Sequence, residues 1–331
     1  MTLHWTHLNP PHKPPGRGDF PMDYDLARDR LCVFGGNLSG AISDDWWEFD
    51  PAVTDWAQTT TANVPTYSFY PLANMAFYPP TRTFVIFGAN YNTPGPDHYI
   101  PMTWEYDPST RTFTEIPVAH SPSGALHGAM CYWPAVGKIV YTCGFSYTRN
   151  LRPAETWTFD YADWVLLPTA NHPIGRVYPN MCVDGSDDDL LLFGGVSSPA
   201  GSDVMQADTW KLQSQTMDWN NVIPATSPDS RMGTYLAQAG GDGCVMQGGE
   251  VLASPNFNRT DALLWDGVNW TLDSAGNPGS SERGHMTYLS SVNKCLWFGG
   301  FQGGYSQETW YVDGFSRPRS RERFSVATAW L

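Results

Sequence analysis

A short apolar run ending in a pair of small residues recurs six times along the chain, and no other feature restricts its fold so severely. The copies are LCVFGG at Gly35, FVIFGA at Gly88, IVYTCG at Cys143, LLLFGG at Gly194, CVMQGG at Gly248 and CLWFGG at Gly299, at intervals of 53, 55, 51, 54 and 51 residues. A unit of this length cannot bury its apolar face alone and must stack against a copy of itself. A second marker follows each pair: DWWEFD at Trp47, TWEYD at Trp104, TWTFD at Trp157, TWKLQ at Trp210, ALLWD at Leu263 and TWYVD at Trp310. In five units an aromatic returns beyond it, at Trp56, Phe113, Trp164, Trp219 and Trp270, after turn-forming stretches such as Asp107-Pro108-Ser109-Thr110. Each unit therefore reads as several short strands.

A diglycine, an aromatic pair and a Trp on a period near fifty residues resemble the kelch repeat over nearly the whole chain. That resemblance implies an all-β, six-bladed β-propeller of four-stranded antiparallel blades. Composition agrees: of 331 residues 14% are aromatic and only 16% charged, with 31 Gly and 27 Pro. The sixth unit lacks its late aromatic, since Arg317, Pro318 and Arg319 occupy those positions. Trp5 lies 30 residues before Gly35, the phase that this aromatic keeps elsewhere, and His4-Trp5-Thr6 is similar to Asn269-Trp270-Thr271. The N-terminal strand is thus predicted to complete the last blade and close the ring, giving a propeller over 1–314 and an Arg-rich tail over 315–331.

Strand parity divides the ring into two faces. One carries tight turns, as at Val136-Gly137-Lys138 and Asp184-Gly185-Ser186; the other carries longer loops with Tyr91, Tyr99, Tyr147, Arg149, Arg152, Phe257, Phe301 and Tyr305. Aromatic faces beside polar loops bury large areas at small entropic cost, which suits a protein or glycan partner. On the same face Arg17, Arg176, Arg231 and Arg283 recur 16 to 18 residues before the glycine pair, with Tyr178 and His285 beside them. These are the candidate anion or partner site. Acids recur there too, at Asp45, Glu155, Asp208, Asp261 and Glu308, so a structural ring of ion pairs competes with an open site.

The net charge of -14 disfavours nucleic acid. No apolar stretch is long enough to span a membrane and no leader is evident, so the expected setting is the cytoplasm or a larger particle such as a phage virion. Six scattered cysteines contain no C-x-x-C pair, and Cys32, Cys244 and Cys295 recur near one strand position, which indicates core thiols in a reducing compartment. The eight histidines show no ligand spacing, so no metal, cofactor or catalytic residue is assigned. The expected function is a non-catalytic binding or assembly module. The alternative, on resemblance to sialate mutarotases, is a sugar-binding enzyme with an arginine-lined channel mouth and Glu155, Glu308 or Glu250 as acid and base. In the tail, Arg317, Arg319, Arg321 and Arg323 alternate with other residues and share one side of an extended strand, with Phe324, Val326 and Trp330 in the same phase. Such an arm is expected to dock on an acidic edge.

Overall fold

The computed structural model describes residues 2–39, 41–65, 74–91, 99–146, 149–199, 201–251, 257–273, 278–279 and 281–316. Among them are strands and turns but no helix. Six four-stranded antiparallel sheets follow one another along the chain, each running from its innermost strand outward. The innermost strands are Met22–Asp25, Asn74–Tyr78, Ala129–Trp133, Asn180–Val183, Tyr235–Gln238 and His285–Leu289. Two small sheets decorate the longer loops, one of them pairing Arg176–Val177, Val196–Ser197 and Val204–Met205.

The sixth sheet is completed from the other end of the chain. His4–Leu8 pairs antiparallel with Thr309–Asp313, Trp5 opposite Val312. Trp270 opposite Trp265 and Trp219 opposite Leu212 hold the same place in their sheets. The chain stays on the ring two residues past the predicted boundary: Phe315 is buried against Tyr288, and Ser316 donates through its hydroxyl to Asp242.

Apolar side chains fall into six clusters, each wedged between consecutive sheets. Cys32, Phe34 and Trp46 of the first sheet meet Met75, Phe77 and Phe84 of the second. The cycle ends where Leu289, Leu296 and Phe298 of the sixth meet Met22, Leu31 and Val33 of the first. This is a propeller-type arrangement, and the recurring Cys32, Cys244 and Cys295 are fully buried in it.

The glycine pairs act at these seams. Gly194 and Gly248 adopt φ of +70° and +68°, and a Cβ on either would lie 2.5 Å from the carbonyl oxygen of Arg231 or Ser281 in the following unit. Both demands exclude a side chain. The second glycine then donates its N–H across the seam: Gly195 to Arg231 O and Gly249 to Ser281 O at 2.9 Å, and Gly300 to Arg17 O at 2.8 Å, which joins the sixth unit to the first.

A second set of seam bonds explains the T-W marker. The outer-strand indoles of Trp56, Trp164, Trp219 and Trp270 donate to the buried hydroxyls of Thr309, Thr103, Thr156 and Thr209 in the preceding sheets, at 3.2, 2.8, 2.8 and 3.0 Å. Two units depart from this pattern. Where Trp46 replaces the threonine, the outer aromatic facing it is Phe113, which has no N–H to satisfy. Where Ala262 replaces it, the facing residue is Trp5, whose buried Nε1 has no hydrogen-bond partner among the described residues.

Ala262→Thr should therefore supply the missing acceptor and raise stability by about 1 kcal/mol, whereas Thr209→Ala should cost about 1–3 kcal/mol by stranding the Trp270 indole. Urea unfolding of the two variants checks both signs; a destabilised Ala262→Thr would contradict the pairing.

Candidate functional site

Matching by residue type places Arg17, Arg176, Arg231 and Arg283 in one column, but the backbone places them in two. Arg17, Arg176 and Arg231 are at most 1% exposed. Each closes a two-pronged pair with the acid ahead of its strand marker: Arg17 with Asp45 at 2.6 and 2.9 Å, Arg231 with Asp261 at 2.6 and 2.9 Å, and Arg176 with Asp208. Nη1 also donates to the carbonyl of the first glycine, Gly35, Gly194 or Gly248, and Nε to the carbonyl two residues upstream. Burial pushes the Asp45 and Asp208 carboxyls up, yet the arginine bonds outweigh it and hold both below the ordinary aspartate range. Trp47 and Trp210 donate to the same carboxylates. These three guanidinium groups are clamps between loop and glycine turn, fully engaged within the protein. The four-arginine anion ring therefore narrows to Arg283.

Arg283 differs because Ser281 occupies the clamp position in its unit. Ser281 O accepts from Gly249 N as Arg231 O does from Gly195 N. Two residues on, Arg283 shares a column with Asp19, His127, Tyr178 and Gly233. These five form a collar of backbone hydrogen bonds from sheet to sheet: Tyr178 N to His127 O at 2.8 Å, Gly233 N to Tyr178 O at 3.3 Å, Arg283 N to Gly233 O at 3.2 Å and Asp19 N to Arg283 O at 2.7 Å. All five have positive φ, from +54° to +59°. Such backbone is costly for residues other than glycine and persists only where its surroundings enforce it, commonly at functional positions. The φ convergence turns four polar side chains toward one small cavity of about 100 Å³, completed by Asn74, Asn180 and Thr234.

Inside this mouth Arg283 lies 3.2 Å from Glu282, 3.5 Å from Glu250 and 5.9 Å from the centre of the Tyr178 ring. Tyr178 Oη lies 3.2 Å from His127 Nε2. Burial raises Asp19 to about 6 against the pull of Arg283, and lowers His127 to about 3, so its imidazole is neutral at pH 7. Burial, reinforced by a hydrogen bond to Glu250, raises Glu282 to about 8 despite Arg283. The pair thus holds a proton at neutral pH beside a fixed cation. Such a site can donate and accept hydrogen bonds around one half-exposed guanidinium.

Other predicted residues lie elsewhere. His285 sits two positions deeper than the collar, and burial lowers it to about 4; it faces the lower channel. Tyr305 packs over Gly18, where a Cβ would meet its ring at 2.8 Å, and Phe301 contacts it with centroids 5.4 Å apart. These two extend the mouth outward. Arg152 donates to Val196 O at 3.1 Å and pairs with Asp203 at 2.8 Å, while exposed Arg149 is 3.6 Å from Glu155. Glu155 accepts from Ser123 and Trp157, and Glu308 pairs with His7, so neither acid reaches the collar. Tyr91 and Tyr99 pair by backbone, as does Phe257 with Val251, but their side chains lie outside the described residues, as do Tyr147 and the tail residues Arg317, Arg319, Arg321, Arg323 and Trp330. Sequence reading missed Glu282; its signal was an acid immediately before the one arginine that keeps 16 residues rather than 17 or 18 from its glycine.

No family model matches the chain, and no curated protein matches it in sequence. In three dimensions it is similar to the protein described under "Structure of YjhT", with a TM-score of 0.69 at 16% identity, over 91% of this chain and 95% of that one. At this identity the likeness is one of fold.

Glu282 carries a pH signature. Its folded pKa of about 8 exceeds the ordinary 4.5, so its contribution to stability is complete below the ordinary value and is lost as pH rises through about 8. Melting temperature should fall from pH 5 to pH 9, and Glu282→Gln, which cannot titrate, should fall less steeply. Parallel melting curves across that range would refute the assignment.

Proposed function

We propose that the protein is a six-bladed, kelch-type, non-catalytic recognition module that seats a protein or glycan partner on its looped face. The observation that carries this reading is the rigid collar. It presents Asp19, His127, Tyr178 and Arg283 at one opening, beside the exposed ring of Phe301 and that of Tyr305. A preorganised polar cavity rimmed by aromatics loses little entropy when a partner docks. The kelch resemblance rests on the repeat residues, and the likeness to YjhT supports the propeller beneath them. Among the described residues no helix is long and apolar enough to cross a membrane.

A second reading draws on the Glu250–Glu282 pair beside Arg283. A proton held near neutrality next to a cation could serve a sialate-mutarotase-like enzyme. If so, the protein accelerates exchange between sialic acid anomers, followed by NMR, and Glu282→Gln abolishes the acceleration. The recognition reading expects no acceleration.

Capture of the cognate partner on immobilised protein, screened from source lysate and on a glycan array, should weaken at least about tenfold in Arg283→Ala and Phe301→Ala, with melting temperature nearly unchanged. Wild-type capture by both variants would sink the reading. Arg176→Ala should instead cost about 3–5 kcal/mol of stability, because it leaves the Asp208 charge buried and unpaired.

The tail enters as a separate proposal, an arm that carries Arg317, Arg319, Arg321 and Arg323 to an acidic edge and helps assembly into a larger particle. Deleting 317–331 should leave the ring's melting temperature intact while lowering oligomeric mass by light scattering. Equal mass would reject it.

A further inference from the structure

We propose that Cys182 and Cys244 form an oxidation site at which a peroxide converts two thiols into a disulfide that staples the fourth sheet to the fifth. Cys182 belongs to the innermost strand Asn180–Val183 of the fourth sheet, and Cys244 opens the second strand, Cys244–Gln247, of the fifth. Their sulfurs lie 3.3 Å apart, with the Cys182 thiol directed at Cys244. A disulfide requires about 2.05 Å, so the two sulfurs have roughly 1.2 Å to close. All six cysteines are free, and among the described residues no other two are in hydrogen-bond contact.

Access is built in. Cys182 lines the channel section of about 590 Å³ that runs between the inner strands, whereas Cys244 is fully buried behind it. On this proposal hydrogen peroxide enters by the channel and meets the Cys182 sulfur first, because Cys182 lines the channel and Cys244 does not. The Cys182 thiolate attacks one peroxide oxygen, the O–O bond breaks, and the departing hydroxide leaves as water after taking a proton. Cys182 is now a sulfenic acid. Cys244 attacks the Cys182 sulfur, the S–O bond breaks, and a second water leaves with the Cys244 proton. Two thiols lose two electrons in total, and one peroxide is reduced to two waters. Burial pushes the Cys244 thiol well above its ordinary range, consistent with its role as the slower, resolving partner.

The crosslink spans 62 residues and joins two sheets otherwise held by packing and seam hydrogen bonds. Oxidised protein should melt roughly 5–10 °C higher than reduced protein, and dithiothreitol should reverse the gain. The test is treatment of the folded, full-length chain with hydrogen peroxide, denaturation in an alkylating reagent, digestion without reductant and mass mapping. The expected result is loss of two of the six alkylatable thiols and a peptide joining Cys182 to Cys244, absent in Cys182→Ser. Six retained thiols, a sulfinic acid at Cys182 without a crosslink, or a partner other than Cys244 would each overturn the proposal. Mapping of the unaltered protein decides the matter even if the serine variant folds poorly.

Discussion

The molecule depends on one close approach, that of the glycine turn to the backbone of the next unit, at Gly194, Gly248 and Gly299. At Gly194 and Gly248 neighbouring chains come nearer than a Cβ permits. That proximity lets the following glycine donate across the seam. The bond recurs at four seams, from Gly144 to Arg176 O, Gly195 to Arg231 O, Gly249 to Ser281 O and Gly300 to Arg17 O, and holds successive sheets against one another. It also sets where the chain goes next. Two residues inward from each accepting carbonyl the backbone must turn back to enter the innermost strand, and the positive φ of Asp19, His127, Tyr178 and Arg283 is how it does so. The candidate site is thus a by-product of the seam geometry, decorated unit by unit.

The clamps follow the same logic. Burying a guanidinium and a carboxylate together gains little unless nearly every donor is used, and at Arg17, Arg176 and Arg231 nearly every donor is. Each clamp ties the loop before the inner strand to the glycine turn and to the acid before the third strand. Specificity of loop placement, more than net stability, is what such a pair contributes. Where Ser281 removes the clamp in the sixth unit, the neighbouring carboxyl Glu282 is left with Glu250 and Arg283 as its company at the mouth.

Much of this was legible in the sequence because the constraint repeats. Four diglycines and two pairs of similarly small residues, five T-W or W-W markers and the phase of Trp5 all report positions that few residue types fit, and the strand pairing of His4–Leu8 follows that phase. Pairing of Arg17, Arg176 and Arg231 with their acids was visible as a competing possibility, since both charges recurred on one face. Arg283 was misplaced because residue identity was read as register; only the backbone bond from Gly249 to Ser281 separates the two columns. Loop aromatics were beyond reach for another reason. Their orientation depends on contacts peculiar to each loop, such as Tyr305 over Gly18, and nothing in a repeat encodes those.

The two ends of the axis also explain each other. Three residues below the collar, Met22, Met75, Met130, Met181, Leu236 and Met286 recur at one register and form an apolar layer that lines the lower channel. Desolvation is the largest influence on Asp19, His127 and Glu282 alike. Unbranched thioether side chains fill such a tapering space without demanding a single shape. The mouth thus keeps a protonated Glu282 and a neutral His127 imidazole around one persistent cation, and that contrast is what the proposed partner would recognise.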